Sequence, residues 1–252
     1  MNKQLTVDLN CDLGESFGSW KMGDDEAILP YVSAVNIACG FHAGDPATMM
    51  RTVQLALKYK VKIGAHPGLP DLVGFGRREM QLSAREVYEL VVYQVGALAA
   101  CVKVQQTTLQ HVKPHGALYN MAARKPELAD AIAAAIYDID PGLILYGLSG
   151  SELIRAGSAK GLNVYNEVFA DRTYQQDGTL TARSDKHALI HDPEQAAEQV
   201  VDMIKSGKVI SLQGTAVDIR ADTICLHGDG EEAVQFARII NQTLKNNLIL
   251  IR

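Results

Sequence analysis

No unbroken apolar run in the 252-residue chain approaches ~18 residues, so no segment reads as a transmembrane helix. The opening MNKQLTVDLN runs straight into a strand pattern and lacks the apolar core and small-residue cleavage site of a secretory signal. Only four cysteines are present, Cys11, Cys39, Cys101 and Cys225, scattered without a C-x-x-C pair; they read as reduced thiols rather than a disulfide framework. A cytoplasmic location is the expectation. There is no basic block either: 24 Lys and Arg are interspersed with 29 Asp and Glu, for a net charge of −5, which argues against nucleic acid or an anionic membrane as partner. The phosphate motif GxxxxGKS/T is absent and no GxGxxG follows the first strand, so a bound nucleotide must be held another way. Linkers, low-complexity tracts and fixed-period repeats are lacking too, and one domain spanning residues 1–252 is expected.

What is present is an alternation. Short β-branched runs at 5–10, 34–39, 61–66, 108–114, 143–148, 163–169 and 223–229 read as strands. Helical patterns fall between and after them, near 46–60, 83–106, 126–138, 150–160, 193–206 and 231–245. Strand then helix, repeated, is the pattern of a parallel α/β sheet. Asp45-Pro46 supplies a cap and a first-turn proline, and Ser83 with Glu86 forms a capping box. Two long segments, 66–80 and 171–192, break the rhythm, and loops of that length are more often functional than idle.

Nearly every strand ends in ionisable residues rather than ordinary turn chemistry. Asp8, Asn10 and Asp12 share one parity on the first strand, with Glu15 just beyond; His42 and Gly44 follow the second strand, His66 and Gly68 the third. Lys113 and His115 follow the fourth, Glu167 and Asp171 close the sixth, and His227 and Asp229 close the seventh. Residues two apart on a strand face the same side, so the polar parity can face a barrel axis while Val7, Leu9 and Cys11 meet the helices. In a closed barrel these ends converge on one mouth. Carboxylates beside histidines suit general acid–base work, Lys113 suits an oxyanion or phosphate, and histidines with aspartates also suit a divalent metal; the residues alone leave the metal open. Asp24 and Asp45 read as helix caps, His111, His187 and His191 as structural, and the glycines as either tight turns or anion cradles.

The stretches VDLNCDLGESFG, NIACGFHAGDP, IGAHPGLPDLVGFGRR, VKPHGALYN, NEVFADRTY, GTLTARS and LHGD, in this order from Val7 to Asp229, closely resemble the LamB/YcsF family. The resemblance implies an irregular seven-stranded (β/α) barrel of the glycoside hydrolase/deacetylase type. It also implies ATP-dependent opening of the lactam 5-oxoproline (pyroglutamate) to L-glutamate, with ADP and phosphate released, together with partner subunits B and C; Mg²⁺ would arrive with the nucleotide. Polysaccharide deacetylases of that superfamily bind metal through an aspartate and an HxxxH pair after the second strand, where this chain has only His42. Under this reading Lys113 and glycine-turn amides face phosphate or oxyanion charge, and one of Asp12, His66 and His115 activates water. Arg77, Arg78 or Arg183 would clamp the substrate carboxylate or the nucleotide, and the remaining strand-end residues would line the substrate and nucleotide pocket. The competing readings are a metal-dependent hydrolase or deacetylase that needs no nucleotide, and a noncatalytic subunit that binds a small lactam or sugar.

Overall fold

A computed structural model of the chain describes residues 4–226 and 233–252. In chain order it contains β1 (Thr6–Leu13), α1 (Asp25–Ile28) running into a 3₁₀ turn (Leu29–Tyr31), β2 (Ala34–Ala38), α2 (Pro46–Tyr59), β3 (Lys62–His66) and α3 (Ala84–Val104). There follow β4 (His111–Val112), α4 (Gly116–Ala122), α5 (Pro126–Ile139), β5 (Ile144–Leu148), α6 (Glu152–Lys160), β6 (Asn163–Phe169) and α7 (Pro193–Ser206). The chain ends with β7 (Lys208–Ile210), β8 (Ala216–Asp218), β9 (Thr223–Leu226), α8 (Ala233–Asn246) and β10 (Leu250–Ile251). Strands β1 to β6 lie side by side in sequence order, β9 pairs with β6, and β9 also pairs with β1, which closes a seven-stranded parallel barrel. β10 extends the seam by pairing with the start of β1.

The alternation on β1 works as its parity requires. Val7, Leu9 and Cys11 are fully buried in the apolar layer beneath the helices, while Asp8 and Asn10 are fully buried among polar partners. Those partners stack in layers. Asp8 accepts from Ser33, Thr223 and Tyr146 hydroxyls at 2.8, 2.8 and 3.1 Å, at the lower end of the barrel. Above it, Asn10 accepts from the Asn36 amide at 2.7 Å, and His111 donates through Nε2 to the Asn36 carbonyl oxygen at 2.7 Å. Burial, then the nearby Lys113 charge, pushes the His111 imidazole down to about 3, so it stays neutral while stacked on Tyr146.

β4 is shorter than the run 108–114 suggests. Pro114 has no N–H to give a neighbouring strand, yet one-sided pairing continues past it: Lys113 N–H donates to the Ala65 carbonyl and His115 N–H to that of Pro67. Elements with weak periodicity escaped the sequence reading: α1, the seven-residue α4, the two-residue β10 and the β7–β8 hairpin. The long helix α3 is apolar and long enough to cross a bilayer by those measures alone, but here it is capped by Ser83 and Glu86 and packs against β3, α2 and α5.

Gly64 on β3 sits directly under the His111 ring; a Cβ there would lie 2.0 Å from Nε2. The ring is held by its bond to Asn36 and its stack on Tyr146, so it has little room to yield. Gly64→Ala should cost about 3 kcal/mol of stability, read as a lower denaturation midpoint with an unchanged m-value; stability equal to the wild type would show that the ring moves freely.

Candidate active site

At the carboxyl end of the barrel the ammonium of Lys113 is buried at the centre of four acceptors. Nζ lies 2.9 Å from Asp12 Oδ1, 2.8 Å from Glu167 Oε1, 3.2 Å from Asn10 Oδ1 and 3.0 Å from Cys225 Sγ. Burial alone would discharge the amine, but the attraction of Asp12 and Glu167 outweighs it and holds Lys113 well above its ordinary value. Burial keeps the Cys225 thiol protonated, so its sulfur serves Lys113 as a neutral acceptor. Asn36 donates to both Asn10 and Asp12 and thereby fixes the orientation of the Asp12 carboxylate.

The second oxygen of Asp12 is 3.3 Å from His66 Nε2 and leads into a cluster of imidazoles. His66 packs edge-on to His115, and His42 stacks face to face on His115 with ring centroids 3.7 Å apart. Glu15 borders them, 3.5 Å from His42 Nε2 and 3.7 Å from His115 Nδ1. Burial, reinforced by the neighbouring rings, pushes His42 and His115 well below the usual imidazole range. One donor atom from each of Glu15, His42, His66 and His115 lies within 4.8 Å of the others, so these residues could hold a metal.

Above both clusters opens a pocket of about 490 Å³, lined by Asp12, Glu15, His66, Lys113 and His115 at its floor and by Arg77, Arg124, Arg172 and Arg183 higher up. Arg77 lies over the Phe75 ring, 4.7 Å from its centroid. Arg172 is buried and donates to the Thr181 and Ala188 carbonyls, bracing the loop that carries Arg183. Burial, then the charge of Arg183, pulls Arg172 down to about 10. Tyr119 of α4 lines the wall, and burial plus the Glu167 charge keep its phenol protonated.

The structure thus gathers Asp12, Glu15, His66, Lys113, His115, Arg77 and Arg183 around one pocket, with Asn10, His42 and Glu167 packed directly against that group. Asp8 is elsewhere: parity aims it inward, but its position early in β1 puts it at the floor network, below the layer that meets the pocket. Gly44 closes a left-handed turn (φ +76°) behind the mouth, against the Gly14 carbonyl. Gly68 makes space for His42, whose Nδ1 a Cβ would approach to 2.4 Å. Arg78 pairs with Asp71 within its own loop, its side-chain hydrogen bond holding that carboxyl down at about 2. Asp171 lies near Arg172, though not among the described pocket-lining residues, and its carbonyl accepts from Ile190. His227 and Asp229 lie outside the described residues. Asp24 and Asp45 cap helices. Sequence reasoning missed Asn36, Tyr119 and Arg172. Asn36 alone carried a usable signal, a polar residue inside an apolar strand.

A closed parallel (β/α) barrel with acid, base and cation donated by several strand ends is the architecture of an enzyme. The chain belongs to the LamB/YcsF family, whose model matches residues 7–252. It is 62% identical to the A subunit of 5-oxoprolinase from Geobacillus thermodenitrificans, over 98% of this chain and 96% of that protein. It is also 62% identical to the A subunit of 5-oxoprolinase from Bacillus licheniformis, over 95% and 94%. Among solved structures, a protein from Thermus thermophilus described as a lactam utilization protein superposes with a TM-score of 0.93 at 47% identity, covering 98% of this chain and 99% of that one.

Removing the central charge tests this arrangement. Lys113→Met leaves Asp12 and Glu167 without their cation and should cost about 3–5 kcal/mol at neutral pH. The deficit should narrow when a stranded carboxylate is neutralised in turn, so that Lys113→Met/Glu167→Gln is more stable than Lys113→Met alone. Chemical denaturation of the three proteins at neutral pH checks it, and an undiminished deficit in the double variant contradicts it.

Proposed function

We propose that the protein is the A component of a bacterial cytoplasmic 5-oxoprolinase that, with subunits B and C, opens 5-oxoproline to L-glutamate at the expense of ATP, Mg²⁺ accompanying the nucleotide. The relatives named as A subunits of 5-oxoprolinase and the lactam utilization protein support the substrate class. The observation that carries the chemistry is the Asp12–Lys113–Glu167 group at the floor of an arginine-lined pocket.

A five-membered lactam is an unactivated amide, and its ring carbon is a poor electrophile. ATP, when bound, supplies activation by phosphorylating the lactam oxygen, which makes that carbon electrophilic and provides a leaving group. The cationic lining suits such an anion: Arg77 and Arg183 border the pocket and would bind a carboxylate or phosphate in a bidentate fashion, with Arg172 bracing the loop that carries Arg183. Asp12 is a pocket-lining carboxylate with 12% of its side chain exposed, and in this reading it takes the proton of an attacking water. Lys113 pairs with Asp12 at 2.9 Å and would present positive charge to oxygen as negative charge develops there. Glu167, fully buried, keeps that ammonium in register and remains out of the reaction.

Glutamate and phosphate release should be measured with subunits B and C present. Asp12→Asn should lower kcat by about 10²–10⁴, whereas Arg183→Gln should chiefly raise KM for an anionic substrate. Wild-type turnover by Asp12→Asn would refute the assignment, and ring opening without ATP would replace it with a nucleotide-independent hydrolase.

A further inference from the structure

The hydrogen bonds around the imidazole cluster fix where its protons are. His66 Nδ1 lies 2.7 Å from the Lys113 carbonyl oxygen, which only accepts, so that nitrogen carries the proton and Nε2 presents a lone pair. His115 Nε2 lies 2.8 Å from the Phe75 carbonyl, so by the same argument its Nδ1 presents a lone pair. Those two bare nitrogens face each other at 2.9 Å. Among the described residues their other close polar neighbours are further acceptors, Asp12 Oδ2 at 3.3 Å from His66 and Glu15 Oε1 at 3.7 Å from His115. Lone pair against lone pair beside carboxylates is repulsive unless a cation lies between them. His42 adds to the demand, since it is 1% exposed and neither of its ring nitrogens makes a hydrogen bond among the described residues.

We propose that Glu15, His42, His66 and His115 form a binding site for a divalent transition-metal ion of the zinc class, with His66 ligating through Nε2 and His115 through Nδ1. Two to three imidazoles with a single carboxylate favour such an ion over Mg²⁺, which prefers an all-oxygen shell. Tetrahedral bonds of about 2.0–2.1 Å would set neighbouring donors about 3.4 Å apart. The observed separations of 2.9 Å between His66 and His115, 3.5 Å between His42 and Glu15 and 3.7 Å between His115 and Glu15 bracket that value. The carbonyls of Lys113 and Phe75 are the outer acceptors that orient a metal-bound histidine and fix its tautomer. His66, His115 and Glu15 converge as they stand. His42 is stacked parallel to His115 and cannot aim at the same point, so it joins as fourth ligand by swinging its ring out of the stack.

This site is independent of the nucleotide and of the lactam reading, so its test uses neither. The full chain, stripped with a chelator, should bind one equivalent of Co²⁺ with the visible absorption of a low-symmetry nitrogen and oxygen site. Zn²⁺ should displace the cobalt one for one and raise the melting temperature. His66→Gln and His115→Gln should each weaken binding on the order of 100-fold. X-ray absorption of the zinc-loaded wild type needs no variant and should show at least two imidazoles. No stoichiometric uptake would overturn the site in favour of a proton shared between His66 and His115, and so would an oxygen-only shell. Unchanged affinity in both glutamine variants would overturn it as well.

Discussion

The buried ammonium of Lys113 is the constraint on which the upper half of the barrel depends. Taking such a charge out of water costs several kcal/mol unless compensation is close. Compensation comes from three strands at once: Asn10 and Asp12 on β1, Glu167 on β6 and Cys225 on β9. Because β1, β9 and β6 are neighbours across the closing seam, the lysine reaches from the β4 side of the barrel and ties down the opposite wall. A strand that slipped by one residue would turn its acceptor outward. The charge therefore fixes register as well as filling the axis.

Asp12 belongs to two environments and gives the site its asymmetry. One oxygen is committed to Lys113 and Asn36; the other faces His66 at the edge of the pocket. On one side the groups are permanently cationic, Lys113 below and the arginines above. On the other, burial and mutual proximity leave His42 and His115 neutral, with lone pairs rather than charge to offer. Glycines make this second side possible. A Cβ on Gly76 would press on His42 and His115 at once, to 2.7 and 2.9 Å, so the tight ring packing relies on side chains that are missing.

Much of this was legible in the sequence because strand parity and strand-end position are simple geometry. Asp12, Lys113 and His115 met at one mouth, and Val7, Leu9 and Cys11 went under the helices, for that reason alone. Parity says nothing about depth, however. Asp8 shares its face with Asp12 but sits two layers lower, where Tyr146 and Thr223 satisfy it. The roles of Gly64 and Gly68 were equally hidden: each is a contact with a histidine distant in sequence, where local reasoning offers only turns and anion cradles. Tyr119 reaches the wall on α4, a helix too short to leave a periodic trace, and Arg172 is indistinguishable in sequence from a surface arginine until its loop folds over it.

The polar filling of the barrel also explains why the site can be rigid without an apolar floor. Fully buried polar groups are stabilising only when their partners are complete. From Asp8 through Thr223 to Asn10, and from Asn10 to both Asn36 and Lys113, each group accepts from or donates to the next. Chains of this kind have few alternative arrangements, since rotating one amide breaks bonds on both of its sides. Asn36 shows the point most clearly: its carbonyl accepts a hydrogen bond from His111 while its amide donates to Asn10 and Asp12. The orientation of the Asp12 carboxylate is thus set from below, by Asn36 together with Lys113 at the pocket floor, and the open side of the residue is left to chemistry.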